Sequence, residues 1–166
     1  VILLLVTAAL YAQEPSSDTM TYIERSQKIM QVNQYVASLR SDSKNNNSDP
    51  LRVEKLINDI QPSIYVSLID VKTDGENPTF LFTDVKSLSI VSFSDLSSNN
   101  IEIVTIRIDD ITDLYSIIDL SIFSKFPKLK YIYILSAVKS TKDDILAIVK
   151  NNNPRYNVFY NILKTS

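Results

Sequence analysis

From Ser63 onward the apolar residues fall in short bursts that share one internal spacing. That spacing restricts the fold more than any other feature of the chain. In "VKSLSI", Val85, Leu88 and Ile90 stand at relative positions 1, 4 and 6; so do Ile103, Ile106 and Ile108 in "IVTIRI", and Leu129, Ile132 and Ile134 in "LKYIYI". Val85 to Ile103 is 18 residues and Ile103 to Leu129 is 26. Weaker copies flank these runs: "SIYVSL" with Val66 and Leu68, and "YNVFYN" with Tyr156 and Phe159. Successive side chains of a strand point to opposite faces, so positions 4 and 6 share the core face, and position 1 tucks in at the strand entry. Such a run cannot bury its face alone. It needs like runs beside it and an apolar return segment over it.

Return segments of that kind are present. "DLYSIIDLSIFSKF" offers Leu114, Ile117, Ile118 and Phe123, and "TKDDILAIVKNNNP" offers Ile145, Ile148 and Val149. Thr141 and Asp144 have capping-box spacing, and Asn153-Pro154 closes the helix they begin. Strand, helix and strand between Lys130 and Asn161 predict a right-handed βαβ crossover. The stretch from Ile64 to Ile162 thus resembles a leucine-rich repeat, whose L-x-x-L-x-L core recurs every 20–29 residues or about that. The resemblance implies an α/β fold in which N-terminal helices precede a short leucine-rich-repeat-like sheet. The family's Asn or Cys three residues past position 6 is replaced here by Phe93, Ile111 and Ala137. The competing architecture is an ordinary α/β or α+β sheet whose apolar alternation coincides in register.

Ahead of the sheet, Thr21 and Glu24 have the spacing of a capping box, and Ile29, Val32, Tyr35, Val36 and Leu39 form an apolar stripe. Together they predict a helix over about 21–40. "SDSKNNNSDP" breaks the period, Asp49 is a good N-cap and Pro50 a good first residue. Val53, Leu56, Ile57 and Ile60 then give the buried face of a helix over about 50–60, ended by Pro62. Asp74-Gly75 predicts the turn of a hairpin between "SIYVSLIDV" and "TFLF", with Pro78 at the start of its second strand.

Val1 to Ala12 has the length of a signal-peptide hydrophobic core and is too short to cross a bilayer. Cleavage is expected after Ala9 or after Ala12. The expectation is a signal-peptide remnant at 1–12 and a single α/β domain at 13–166. The start resembles that of exported bacterial proteins, which implies a periplasmic or extracellular location. A buried strand or helix of the mature fold is the alternative for the same residues.

What the chain lacks narrows its chemistry. It has no histidine, cysteine or tryptophan and one glycine, Gly75. The usual general base near neutral pH, thiol nucleophiles, Cys-based zinc and iron–sulfur sites, disulfides and glycine-rich phosphate loops are therefore excluded. A net charge of −2 argues against nucleic acid. No cofactor and no metal is expected. Asp70 and Asp74 glance at a calcium loop, but Lys72 and Leu81 stand where ligands are needed, so a solvated turn is expected.

Tyr131 and Tyr133 alternate with core residues and so lie on the opposite face, as do Arg107, Thr105 and Ser89 on the equivalent runs. In a leucine-rich-repeat-like sheet this is the solvent-facing binding surface. Tyr131, Tyr133, Arg107 and Thr105 are therefore the candidate contacts of a non-catalytic module whose partner is a protein or, second, a glycan. If helices cover both faces, the tyrosines are amphipathic edges of the core instead. The alternative functions are a hydrolase using paired carboxylates, Asp109 and Asp113 beside Asp110, and a structural envelope component.

Overall fold

The computed structural model describes residues 28–41, 50–96 and 99–163. The Val1–Ala12 segment and the caps expected at Thr21, Glu24 and Asp49 lie outside them. The fold is α/β, built on a mostly parallel seven-stranded sheet. In chain order the elements are β1 (Met30–Gln31), α1 (Val32–Ser41), α2 (Pro50–Asn58), β2 (Ser63–Val66), β3 (Val71–Asp74), β4 (Phe80–Asp84) and α3 (Leu88–Phe93). There follow β5 (Ile103–Ile108), β6 (Ile118–Asp119), β7 (Tyr131–Ser136), α4 (Lys142–Ile148), β8 (Val149–Lys150) and β9 (Asn157–Ile162).

The sheet order is β1-β9-β7-β5-β4-β2-β3, and among the described residues β2–β3 is its one antiparallel pair. From β2 through β4, β5 and β7 to β9 each strand lies beside its predecessor, so the chain advances across the sheet in one direction. Crossovers of one hand that advance in one direction all fall on one side of the sheet. The core agrees. Val104, Ile106, Ile108, Ile132, Ile134, Val158 and Tyr160 pack in one cluster with Leu88, Val91, Leu120, Phe123, Ile145 and Ile148 of the return segments. Two return segments even pair with each other, Ile118 with Val149, as β6 and β8 of a separate parallel ladder. Thr141 caps α4 as its sequence predicts: its hydroxyl accepts from the Asp144 N–H while Asp144 reaches back to the Thr141 N–H.

The opposite face is covered by α1 and α2. Val32, Tyr35, Leu39, Val53 and Leu56 pack on Ile103, Tyr133 and Phe159. Tyr35 stacks on Phe159 with ring centroids 5.0 Å apart. Arg52 of α2 pairs with Glu102 at the entry of β5, which holds that helix over the lower half of the strands.

Several expectations are corrected. "VKSLSI" is not a strand: Val85–Ser87 is a 3-10 turn and Leu88 begins α3. A spacing of three fits a helical turn as well as positions 1 and 4 of a strand. The Asp84 carboxylate settles it by accepting the Ser87 N–H at 2.9 Å, ending the extended chain there. The true neighbour of β5 is "FLFTD", Phe80–Asp84. The β5–β7 register also sits two residues from the aligned one, Ile106 opposite Ile134 and not Ile132. A slip of two preserves the face, so the core assignment survives it.

The hairpin is displaced too. β2 turns at Ser67–Asp70 and pairs with β3, while "TFLF" lies on the other side of β2 in parallel. Gly75 does take the left-handed conformation (φ 79°), but its turn leads into the crossover to β4. Among the described residues of the helix expected over about 21–40, helix begins at Val32, because Met30 and Gln31 pair with Phe159 and Tyr160 as a strand. Ile60 lies past the end of α2 and is fully exposed, and Ile117 is exposed as well.

Candidate functional site

The face under α1 and α2 is organised in rows that run across the strands. One row is Lys72, Tyr65, Phe82, Thr105, Tyr133 and Phe159. The next, toward the strand C-termini, is Asp84, Arg107, Leu135 and Asn161. The helices cover the first row from β9 as far as β5 and stop. Beyond them Tyr65 is 44% exposed, and Phe82, Arg107, Leu135 and Asn161 are partly open. Tyr65 and Phe82 lean together at 5.9 Å between ring centroids, and the Arg107 guanidinium stands 5.9 Å over the Phe82 ring. Asp109 anchors that guanidinium at 2.5 Å. The result is an aromatic shelf beside an ion-paired guanidinium, able to stack on flat apolar groups.

The candidate contacts divide accordingly. Thr105 and Tyr133 are 3% and 8% exposed, closed off from solvent, and so belong to the core. Burial pushes the Tyr133 phenol above its ordinary value, partly offset by Asn161. Tyr131 is half-buried, edge-on to Tyr35 at 6.5 Å. Arg107 alone of the four stands on the open shelf. Ser89 is exposed on α3, off the sheet altogether. The sequence reading missed Tyr65, Phe82 and Leu135. Aligning "TFLF" with "IVTIRI" would have put Phe82 on the Thr105 face, since both runs alternate.

At the strand C-termini a cleft of about 270 Å³ is lined by Ser67, Leu68, Ile69, Asp84, Lys86, Asp109 and Asp113. It brings together Asp109 and Asp113, the carboxylates of the hydrolase alternative. Asp113 is buried, and its Oδ2 accepts the backbone N–H groups of Asp109 and Asp110 at 3.0 Å each. Asp110 in turn accepts the Thr112 N–H at 2.9 Å, completing a capping box around the 3-10 turn Ile111–Tyr115. Those Thr112 hydrogen bonds hold the Asp110 carboxyl below its ordinary value. Lys86 lies 3.7 Å from Asp110 and 3.9 Å from Asp113. These acids shape a turn and neutralise cations. Among the described residues no group of three or more acids, histidines or cysteines is placed to hold a metal ion. Nor, among the described residues, is any helix long and apolar enough to cross a membrane.

Compared with protein-family models, with curated proteins and with solved structures, the chain matches none.

Proposed function

We propose that this chain is a non-catalytic binding module that receives a protein partner on the open part of its sheet face. Tyr65, Phe82, Arg107 and Leu135 are the contacts, with Tyr131 at their margin. One observation carries the reading: two helices cover half of an apolar sheet face and leave beside it a shelf of two aromatic rings under a fixed guanidinium. Tyr and Arg are the residue types enriched where truncation costs most binding energy. Asp109 and Asp113 are engaged in an ion pair and in backbone capping, which favours binding over hydrolysis. The proposed export, to a periplasmic or extracellular location, rests on the signal-like Val1–Ala12 sequence. N-terminal sequencing of the cell-derived protein supports it by a start at Leu10 or Gln13, and a retained Val1–Ala12 removes it.

The shelf is tested by a photo-crosslinking residue at position 65, compared with one at Leu146 in α4 on the far side of the sheet. A defined protein adduct at 65, absent at 146 and lost with Arg107→Ala, supports the reading. Equal labelling at both positions, or adducts indifferent to Arg107, refutes it.

A further inference from the structure

The outermost strand, β3, belongs to neither the core nor the shelf, and all four of its residues are exposed. Its backbone phase follows from the turn that precedes it. The Ser67 N–H donates to the Asp70 carbonyl at 2.9 Å. Bonded and non-bonded pairs alternate along an antiparallel ladder. Tyr65–Lys72 and Ser63–Asp74 are then the bonded pairs, and Val71 and Thr73 turn their N–H and C=O groups outward. Among the described residues these outward groups are an unfilled half-ladder.

An edge lysine ordinarily repels incoming strands. Here Lys72 is followed two residues later by Asp74, on the same face of the sheet. A second copy can approach in antiparallel fashion with its faces matched in four registers, one centred on each residue of β3. Centring on Val71 sets Lys72 opposite Asp70, which lies in the turn outside the strand, and leaves Lys72, Thr73 and Asp74 as centres. Centring on Lys72 sets two ammonium groups opposite each other, and centring on Asp74 sets two carboxylates opposite each other. Centring on Thr73 sets Lys72 opposite Asp74 of the second copy, twice, about a twofold axis. It also lets the outward groups of the two Thr73 residues bond reciprocally. Opposite charges and paired threonines are both favourable as direct cross-strand neighbours, and an isologous twofold contact closes on itself.

We propose that two copies of this chain associate edge to edge through β3, with Thr73 on the twofold axis and Lys72 opposite Asp74. The contact is independent of the shelf reading. It makes one sheet continuous across the axis and brings the two shelves onto a common face.

The test is sedimentation equilibrium of the full chain from micromolar to millimolar concentration. Wild type forms a dimer within that range. Lys72→Asp or Asp74→Lys alone sets like charges opposite each other and weakens the dimer at least about tenfold. The double exchange restores it. So does a one-to-one mixture of the two single variants, because each then faces the opposite charge. Both substituted positions are exposed, so unchanged thermal unfolding of the monomers confirms that folding is not at issue. A wild type that stays monomeric to millimolar, or a dimer equally strong in every variant and unaffected by mixing, overturns the proposal.

Discussion

Replacing Thr105 by valine removes a hydroxyl that the fold buries and leaves without a partner. Thr105 is 3% exposed in the middle of β5, between Phe82 and Tyr133 in the row beside the helices, and its Oγ1 has no hydrogen-bond partner. In the unfolded chain water satisfies that hydroxyl; in the fold no described residue does. Burying a hydroxyl without compensation costs about 1–3 kcal/mol by mutational comparison. Valine has nearly the same shape, suits a strand and carries no such cost. Thr105→Val should therefore raise the unfolding free energy by about 1 kcal/mol, taking the lower end because the neighbouring rings relax around any new contact. For a chain of this size that corresponds to about 2–4 °C in Tm. Urea unfolding with an unchanged m-value is the assay, since a shift in midpoint at constant slope isolates stability. A loss of stability would refute the reasoning, because it would mean the hydroxyl holds a partner that the packing requires. Thr83→Val is the internal control. Thr83 is equally buried but donates to the Asp84 carbonyl at 3.4 Å, so it should gain less.

Phe159→Ala should cost about 3–5 kcal/mol by calorimetry, since the ring is fully buried and contacts Tyr35 and Tyr133 at 5.0 and 5.3 Å; a loss under about 1 kcal/mol would mean that α1 does not close on the sheet. Gly75→Ala should destabilise by about 1–2 kcal/mol in chemical denaturation, because a Cβ at φ 79° is strained and would come within 2.9 Å of the Pro62 Cβ; a neutral result would place that turn elsewhere. Asp119 is held below its ordinary value by the Asn151 side chain first and Ser121 second. With its folded value depressed, the stability it contributes is present above the unfolded value and lost as pH falls through the folded one. Asn151→Ala should raise the Asp119 titration midpoint measured by carbon NMR, and an unmoved midpoint would exclude the contact.

Elements whose signals are local were legible in the sequence. The capped α4, the Pro50 start of α2 and the strands β5, β7 and β9 each depend on periodicity or on residues within one turn of their ends. "VKSLSI" was not legible, because Val85 and Leu88 stand three apart and that spacing serves a 3-10 turn and a strand entry alike. The partner of β2 was not legible either. Ser63 lies between Asp74 on one side and Phe80 on the other, and only the closing of both ladders tells a hairpin from a crossover.

The candidate site divides in the same way. Alternation by itself put Thr105, Arg107, Tyr131 and Tyr133 on one face, and that assignment depends only on the pleat. Which of them meets solvent depends on where α1 and α2 come to rest, held by Tyr35 on Phe159 and Arg52 on Glu102, contacts between residues far apart in the chain. The sequence by itself therefore determined an α/β chain with alternating strands, a capped helix and no histidine or thiol chemistry. Only the tertiary structure decided that Thr105 and Tyr133 are core while Tyr65, Phe82 and Arg107 form the open shelf. Side-chain direction is a property of each strand, whereas burial is a property of whatever packs above it.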